Sequence, residues 1–279
     1  MIKILVDSSS DYTLKEAQEK GFYFASLNVM LGGQTYLDGQ NLDADQFYQI
    51  LTNTTEFPKT SQPSPQDFVT CFEEAAKNGD EVICILLSSS LSGTFQCACL
   101  AKSMVDYDKI YLIDSLSATI GIRLLVEYAE KLIAEGTLSA AEIAEKIDAL
   151  KSRIHICAAV DTLEYLSRGG RVSKAAAAVG EMAKLKPIIT LTPEGTVSVM
   201  GKCIGKNKAI SFILKHLNEV TPDPDFPLYS AFTYGTDNAE KLEQKAAAEG
   251  LQFTDRLQLG STIGAHTGPG VFGFVYIAK

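Results

Sequence analysis

A short segment near the C-terminus combines residue types that suit a small-ligand site. Gly264–Gly270 contains His266, one of three histidines in the chain, among three glycines and a proline. An imidazole can donate a hydrogen bond, accept one, or change charge near neutral pH. On sequence grounds the small neighbours have no packing role, and glycine lets a backbone come close to a ligand. We therefore predict that this segment is a loop and that His266 lies in a ligand site.

Hydroxyl groups follow an apolar run at a second position. Val82–Leu87 is typical of a buried strand, and Ser92-Gly93-Thr94 comes shortly after it, at the start of a helix predicted over 95–104. Free backbone N–H groups and hydroxyls at the positive end of a helix form a site for an anion. The same residues also fit an ordinary helix cap. Taken alone, these residues favour the ordinary cap.

Two further segments carry polar groups. Thr60–Pro65 is a hydroxyl-rich loop stiffened by prolines, and it also fits a connector that ends in a helix cap. Arg168 and Arg171 flank two glycines, and their guanidinium groups can form a fork for a carboxylate or a phosphate. The stretch from 168 to 208 is basic, which fits a solvated face or a docking surface for an acidic partner. Its cations are Arg168, Arg171, Lys174, Lys184, Lys186, Lys202, Lys206 and Lys208, and its anions are Glu181 and Glu194.

The composition is that of a globular protein with two domains. The chain has 279 residues, 46% of them hydrophobic, and its formal net charge of −9 argues against nucleic acid as a partner. The six cysteines lack the spacing of a zinc site, and no apolar run is long enough to span a membrane. No signal peptide precedes the first strand-like run. We therefore expect a cytoplasmic protein with reduced cysteines and no metal.

The elements that position these groups follow from the apolar runs. Strands and helices alternate through 1–153, which predicts an N-terminal α/β domain with a parallel sheet and helices on both faces. The later order predicts a C-terminal mixed α/β domain over 154–279. We expect strands over 2–6, 22–31, 82–87, 110–113, 155–160, 186–191, 196–203, 228–233, 251–258 and 271–278. Open parallel sheets bind ligands beyond the carboxyl ends of their strands, where the polar turns lie.

Two enzymatic or nucleotide-binding alternatives use the same residues. Ser92 as nucleophile and His266 as base would make a serine hydrolase or esterase, but no Gly-x-Ser-x-Gly segment and no acidic partner for the histidine are apparent. A phosphate or nucleotide site at the Ser92 helix lacks the glycine–lysine pattern of a P-loop. Both alternatives rank below a ligand-binding function without catalysis.

Six segments in one order resemble the DegV family of bacterial fatty-acid-binding proteins. They are Asp7-Ser8-Ser9-Ser10-Asp11, Thr60-Ser61-Gln62-Pro63-Ser64-Pro65, Ser92-Gly93-Thr94, Leu163–Arg171, Lys186-Pro187 and His266-Thr267-Gly268-Pro269-Gly270. The resemblance covers essentially the whole chain and implies a two-domain α/β fold. It also implies one bound long-chain fatty acid, with its tail buried in the N-terminal domain.

The resemblance further implies which residues hold the carboxylate. Thr60, Ser92 and His266 are its expected partners. The expected ligand site also includes the neighbouring residues Ser61, Gly93, Thr94, Thr267 and Gly268. No cofactor, metal or redox group is expected, and the protein is expected not to be an enzyme.

Some members of the family present their fatty acid to an ATP-dependent fatty acid kinase, which forms an acyl phosphate for phospholipid synthesis. This resemblance makes Arg168, Arg171 and Lys202 candidates for contact with the kinase or with phosphate. The chain departs from the family pattern at Lys202-Cys203-Ile204-Gly205, where many relatives have arginine in place of Ile204. Isoleucine cannot bind a phosphate or an acidic partner, so this departure puts the kinase partnership in doubt.

Overall fold

The computed structural model describes residues 1–173 and 185–279, and strands and helices alternate through its first half as predicted. The strands there are β1 (Ile2–Asp7), β2 (Tyr23–Ala25), β3 (Asn28–Leu31), β4 (Gln34–Leu37), β5 (Lys59–Ser61), β6 (Glu81–Leu86) and β7 (Ile110–Asp114). The helices are α1 (Leu14–Lys20), α2 (Ala44–Thr52), α3 (Pro65–Asn78), α4 (Thr94–Met104), α5 (Ile120–Glu135) and α6 (Ala140–Leu150). Capping boxes begin α1, α2, α3 and α6 and satisfy their first free N–H groups.

The first sheet is parallel throughout. Its strand order is β2-β1-β6-β7. Helices α3 and α4 cover one face, where Phe68, Phe72 and Ala98 share a buried cluster with Cys84 of β6. Helices α5 and α6 cover the opposite face in a second cluster. The predicted parallel sheet with helices on both faces is confirmed.

The second half forms a six-stranded mixed sheet in the order β10-β9-β8-β13-β11-β12. Its strands are β8 (Ile154–Ala159), β9 (Leu185–Leu191), β10 (Val197–Ile204), β11 (Leu228–Phe232), β12 (Asp255–Gln258) and β13 (Phe272–Ile277), and its helices are α7 (Glu164–Arg168), α8 (Lys206–Glu219), α9 (Asp237–Ala248) and α10 (Ser261–Thr267). Only β11 and β12 are parallel among its pairs in the described residues. This confirms the predicted mixed α/β part.

One hydrophobic core joins the two halves. Helices α5 and α6 share a buried cluster with Ile83 and Ile113 of the first sheet and with Val275 and Ile277 of the second. The opposite face of the second sheet packs on α8 and α9 in a cluster of its own. The two large sheets divide between 153 and 154, but their core is continuous there. The division into domains 1–153 and 154–279 therefore stays a prediction.

The single strand predicted over 22–31 is wrong. The run breaks into β2, which joins the parallel sheet, and β3, which joins a small antiparallel sheet in the order β4-β3-β5. The break lies at Leu27, whose N–H donates to the Ser8 hydroxyl at 3.0 Å rather than to a neighbouring strand. The small sheet packs on α2, and its strand β5 contains Thr60, which was predicted to lie in a loop.

The loop predicted around His266 is also wrong, because this residue lies in the last turn of α10. The small residues of the segment have a packing role after all. Gly264 is buried against the first half, and a Cβ at this position would lie 2.4 Å from the Tyr48 hydroxyl. Ala265 packs in the cluster of α2. Small side chains here allow a helix to come close to α2.

None of the helices in the described residues has the length and apolar character of a membrane-spanning segment.

Candidate functional site

A deep cavity lies between the two large sheets, and its walls are mainly aliphatic. Both halves of the chain contribute side chains to it. The first half supplies Leu27, Leu87, Leu91 and Ala118, and the second supplies Ile156, Ala158, Ile189, Leu191, Val197, Leu259 and Val271. Such walls favour an apolar ligand, because burial of apolar surface is the main source of affinity in a cavity of this kind.

Eight polar side chains line this cavity. Four of them are Thr119, Thr190, Thr262 and Thr267, and the other four are Thr60, Ser92, Arg171 and His266. Thr60 Oγ1 and His266 Nε2 lie 2.8 Å apart. The Arg171 Nε–H donates to the carbonyl oxygen of Leu91 at 2.9 Å, next to Ser92 in the chain. A second guanidinium N–H of Arg171 donates to the Gly169 carbonyl oxygen. We call Thr60, Ser92, Arg171 and His266 the polar cluster.

Thr60 reaches the cavity because it lies in β5. This strand pairs with β3, and Thr60 is opposite Val29 in the antiparallel register. Side chains alternate along a strand, so the adjacent Ser61 is on the other side, where its hydroxyl accepts a hydrogen bond from Asn28 at 3.2 Å. Ser61 does not line the cavity, in contrast to its place in the expected ligand site.

Ser92 lies at the start of α4, after the end of β6. Its hydroxyl is 2.9 Å from the Thr94 hydroxyl and accepts a hydrogen bond from the Thr94 N–H at 3.3 Å. Gly93 is the N-cap residue of α4 and has no side chain to cap the helix, so the hydroxyl that bonds to the first turn comes from Ser92. Ser92 lines the cavity, whereas Gly93 and the buried Thr94 lie behind it. Both are therefore neighbours of the site rather than parts of its wall.

His266 lies in a tight environment between the two halves. The backbone of Gly169 comes so close to the ring that a Cβ there would lie 2.3 Å from Nδ1. Nδ1 is buried and has no hydrogen-bond partner among the described residues. Burial, with the nearby Arg171 charge, lowers the pKa of His266 to about 4. The imidazole is therefore neutral at pH 7, and the positive charge of the polar cluster comes from Arg171.

Arg168 and Arg171 occupy different environments, although the sequence places them symmetrically around the glycines. Arg168 is exposed, forms an ion pair with Glu164 at 2.8 Å, and stacks over the Phe57 ring at 3.9 Å. Arg171 is half-buried and lines the cavity. Burial lowers the pKa of Arg171, but a guanidinium stays charged in proteins. Of the two arginines of the expected fork, Arg171 alone lines the cavity, and their joint role in binding an anion stays a prediction.

The other expected site residues are distributed as follows. Thr267 lines the cavity, but its hydroxyl donates to the Ile263 carbonyl oxygen at 3.0 Å. Gly268 follows α10 and packs against the Tyr165 ring outside the cavity wall. Lys202 and Ile204 are exposed on β10, which is an edge strand of the mixed sheet.

Among the described cations of the basic stretch, Arg168, Lys202, Lys206 and Lys208 are exposed. Lys186 is largely buried and forms an ion pair with Asp161 at 2.7 Å. Lys174, Glu181 and Lys184 lie outside the described residues. Among the residues that are described, no group of three or more His, Cys, Asp or Glu side chains could hold a metal ion.

Sequence reasoning missed the residues that hold α10 in place. Asp11 accepts a hydrogen bond from the Gly260 N–H at 2.8 Å, and Asp38 accepts one from the Thr262 N–H at 3.2 Å and one from the Ser261 hydroxyl. All three donors lie at the N-terminal end of α10. Asp11 belongs to the Asp-Ser turn after β1, which capping chemistry explains fully on sequence grounds. Asp38 gave no signal of this contact.

The geometry gives little support to a serine hydrolase. Hydrogen bonds join the Ser92 hydroxyl to Thr94, whereas His266 Nε2 faces Thr60. A triad also needs a carboxylate on the second ring nitrogen, and His266 Nδ1 has no such partner in the described part of the chain. The polar cluster can instead bind a carboxylate, because it offers hydroxyl and guanidinium donors beside an apolar cavity.

The fold and this site define an α/β protein with a mainly apolar cavity between its two large sheets and a polar cluster on the cavity wall. Comparisons with known proteins give its family. The chain belongs to the DegV family, because the family model described as "Uncharacterised protein, DegV family COG1307" matches residues 1–279. A DegV domain-containing protein of Caldanaerobacter subterraneus subsp. tengcongensis is 34% identical over 282 residues, which cover 100% of this chain and 99% of that protein.

Solved structures of the family share the fold and bind fatty acids. A fatty-acid-binding DegV family protein from Thermus thermophilus is 32% identical, with a TM-score of 0.87 over 100% of this chain and 99% of that one. A fatty acid binding DegV family protein from Streptococcus agalactiae is 26% identical, with a TM-score of 0.90 over 100% and 99% of the two chains. The predicted family and fold class are therefore confirmed.

Proposed function

We propose that this protein binds one long-chain fatty acid in the cavity between its two sheets. The observation that carries this proposal is the contrast between mainly aliphatic walls and a polar cluster that contains the Arg171 guanidinium. Fatty acid binding by the Thermus thermophilus and Streptococcus agalactiae relatives supports the same ligand class. Each buried CH₂ of the tail contributes roughly 0.8 kcal/mol, so the tail supplies most of the affinity.

The polar cluster selects the head group. Thr60, Ser92 and His266 are the proposed hydrogen-bond partners of the carboxylate, as the family resemblance implies. Arg171 supplies the opposite charge, because His266 is neutral at pH 7. A buried carboxylate without such partners costs several kcal/mol, roughly the value of the charge-assisted hydrogen bonds that replace water. The ligand needs no metal or redox cofactor, and the protein acts as a carrier in the cytoplasm.

The tail crosses the boundary between the halves in this proposal. Ile156, Ile189 and Val197 of the second half line the cavity together with Leu27 and Leu87 of the first. An acyl chain in this space contacts both sheets, in addition to the N-terminal domain that the sequence analysis predicts.

Competition binding tests the ligand class. A fluorescent fatty acid bound to the protein is displaced by a saturated long-chain acid or by the alcohol of equal chain length. We expect the acid to displace the probe at a concentration at least about ten-fold lower, because only the acid pairs with Arg171. Equal displacement by acid and alcohol would contradict a head-group site.

An ester substrate separates the carrier from the esterase that uses Ser92 and His266. We expect the wild-type protein and Ser92→Ala to hydrolyse a chromogenic long-chain ester no faster than buffer does. Turnover by the wild type that Ser92→Ala abolishes would establish the esterase instead.

The carrier proposal extends to an ATP-dependent fatty acid kinase that phosphorylates the bound carboxylate for phospholipid synthesis. Arg168 and Lys202 are exposed and remain candidates for contact with this partner. Ile204 is 55% exposed on the same edge strand as Lys202, at the position where many relatives have arginine. A reconstituted kinase that forms acyl phosphate faster with Ile204→Arg than with the wild type would support this docking surface. Equal rates would remove Ile204 from it.

A further inference from the structure

Two acidic side chains of the first half contact the helix that carries His266. Helix α10 belongs to the second half, and its N-cap residue is Gly260, which has no side chain to accept hydrogen bonds from the first turn. Free N–H groups at a buried helix start need acceptors from elsewhere. Asp38 supplies them, because it accepts from the Thr262 N–H at 3.2 Å and from the Ser261 hydroxyl.

Asp11 completes this contact from a second direction. One of its carboxylate oxygens accepts from the Gly260 N–H at 2.8 Å, and the other accepts from the Thr119 hydroxyl. Thr119 lines the cavity. Asp11 therefore joins the cavity wall of the first half to the start of α10.

The opposite end of α10 is fixed by the polar cluster itself. Thr262 and His266 are four residues apart, so they lie on one face of the helix, and both line the cavity. Thr60 contacts His266 from the first half at 2.8 Å. A rotation or shift of the helix start would move His266 away from Thr60, because the helix is only two turns long.

We propose that Asp11 and Asp38 are positioning residues, which cap α10 from the first half and thereby hold His266 in the geometry that recognises a carboxylate. The part of this proposal that concerns carboxylate recognition rests on the proposed function. The part in which Asp11 and Asp38 hold α10 in place does not. Neither carboxylate lines the cavity, so both would act through α10.

Asp7 offers a matched control. Like Asp38, Asp7 is buried, and its carboxylate accepts hydrogen bonds. Its donors are Ser9 and the Leu87 N–H at 2.8 Å, and none of them belongs to α10. Asp38→Asn and Asp7→Asn each replace one acceptor oxygen by an NH₂ group. Both are expected to lower thermal stability, but only the first removes an acceptor oxygen that α10 uses.

Hydrogen–deuterium exchange measures the position of the helix without any lipid. We expect the amides of 260–267 to exchange at least about ten-fold faster in Asp38→Asn than in the wild type, while Asp7→Asn leaves them unchanged. Unchanged exchange in Asp38→Asn, or equal acceleration by Asp7→Asn, would overturn the proposal. If Asp38→Asn does not fold, Ser261→Ala removes one of the two donors instead. It is then expected to accelerate exchange in the same segment, and unchanged exchange would overturn the proposal.

The ratio of the affinities for a fatty acid and for the alcohol of equal chain length is a second measurement. A general loss of stability would not change this ratio. We expect Asp38→Asn to lower this selectivity about ten-fold and Asp7→Asn to preserve it. Preserved selectivity in Asp38→Asn would overturn the link to His266. A wild-type protein that binds no fatty acid would instead refute the proposed function, and the exchange result would still decide whether Asp38 positions the helix.

Discussion

Thr60 Oγ1 and His266 Nε2 lie 2.8 Å apart although 206 residues separate them in the chain. The contact joins β5, an edge strand of the small sheet, to helix α10 of the second half. Because each residue comes from a different half, the polar cluster exists only when both halves are folded and packed together. Ligand binding and the packing of the two halves are therefore linked.

Removal of the imidazole should weaken acid binding selectively. We expect His266→Ala to reduce fatty acid affinity by roughly ten-fold, since a hydrogen bond to a charged group is lost, and to leave affinity for the matching alcohol less affected. Displacement of a fluorescent fatty acid measures both. His216→Ala is the control, because His216 lies in α8 beside the His155 ring and does not line the cavity. Unchanged selectivity in His266→Ala would remove this residue from the site.

The two arginines around the glycines should differ in their effects. Arg171→Gln removes the positive charge of the cavity, and we expect it to weaken acid binding by ten-fold or more, on the order of a charge-assisted hydrogen bond. Arg168→Gln removes an exposed charge that stacks on Phe57, and the same binding assay should detect no change. Equal losses in both variants would show that charge acts at long range rather than through the cluster.

Small residues on opposite walls test the path of the acyl tail. Ala118 and Ala158 line the cavity from the first and second halves, respectively. We expect Ala118→Leu and Ala158→Leu both to shift preference toward shorter acids, because added methyl groups occupy space that the tail needs. Titration with acids of graded length measures the shift. A shift in Ala118→Leu alone would place the tail within the N-terminal domain.

The neutral imidazole should give a defined pH dependence of stability. The pKa of His266 is about 4 in the folded protein, below its ordinary value of 6.5, so the folded state binds this proton more weakly than the unfolded state. The resulting stability is complete above about pH 6.5 and is lost as the pH falls toward 4. Denaturant unfolding of the wild type and His266→Gln should show their stability difference shrinking by about 1–3 kcal/mol over this range.

Other buried groups change the free energy of unfolding in the same pH range, but in the opposite direction. Burial raises the pKa of Asp7 to about 6, so this carboxyl favours the folded state increasingly as the pH falls from about 6 toward 3.8. Its effect is the same in the wild type and in His266→Gln and cancels in their difference. A stability difference that stays constant from pH 7 to 4 would show that the folded imidazole titrates normally.

Local signals in the sequence predict much of the fold. Thr13 with Glu16 and Ser139 with Glu142 begin their helices as capping boxes, because both partners lie within one turn. Continuous apolar runs such as 82–87 likewise become buried parallel strands. Capping boxes and apolar runs depend on residues that are close together in the chain. They can therefore be recognised from the sequence alone.

Contacts between distant segments were not predictable in this way. Gly264 is atypical of a helix interior, and the close approach of Phe47 and Tyr48 explains why no side chain is present there. Asp11 and Asp38 find their donors 249 and 224 residues away. Thr60, Ser92 and His266 were grouped through family resemblance, since no spacing relates them. Arg171 was grouped with Arg168 because the direction of the chain after Gly170 depends on tertiary packing.

Mass spectrometry of the purified protein tests the proposed ligand most directly. The protein is measured first in its native state and then after denaturation and extraction with organic solvent. We expect one adduct per chain that dissociates on denaturation and extracts as a long-chain fatty acid. A protein without an adduct, which also takes up no added fatty acid, would contradict fatty acid binding.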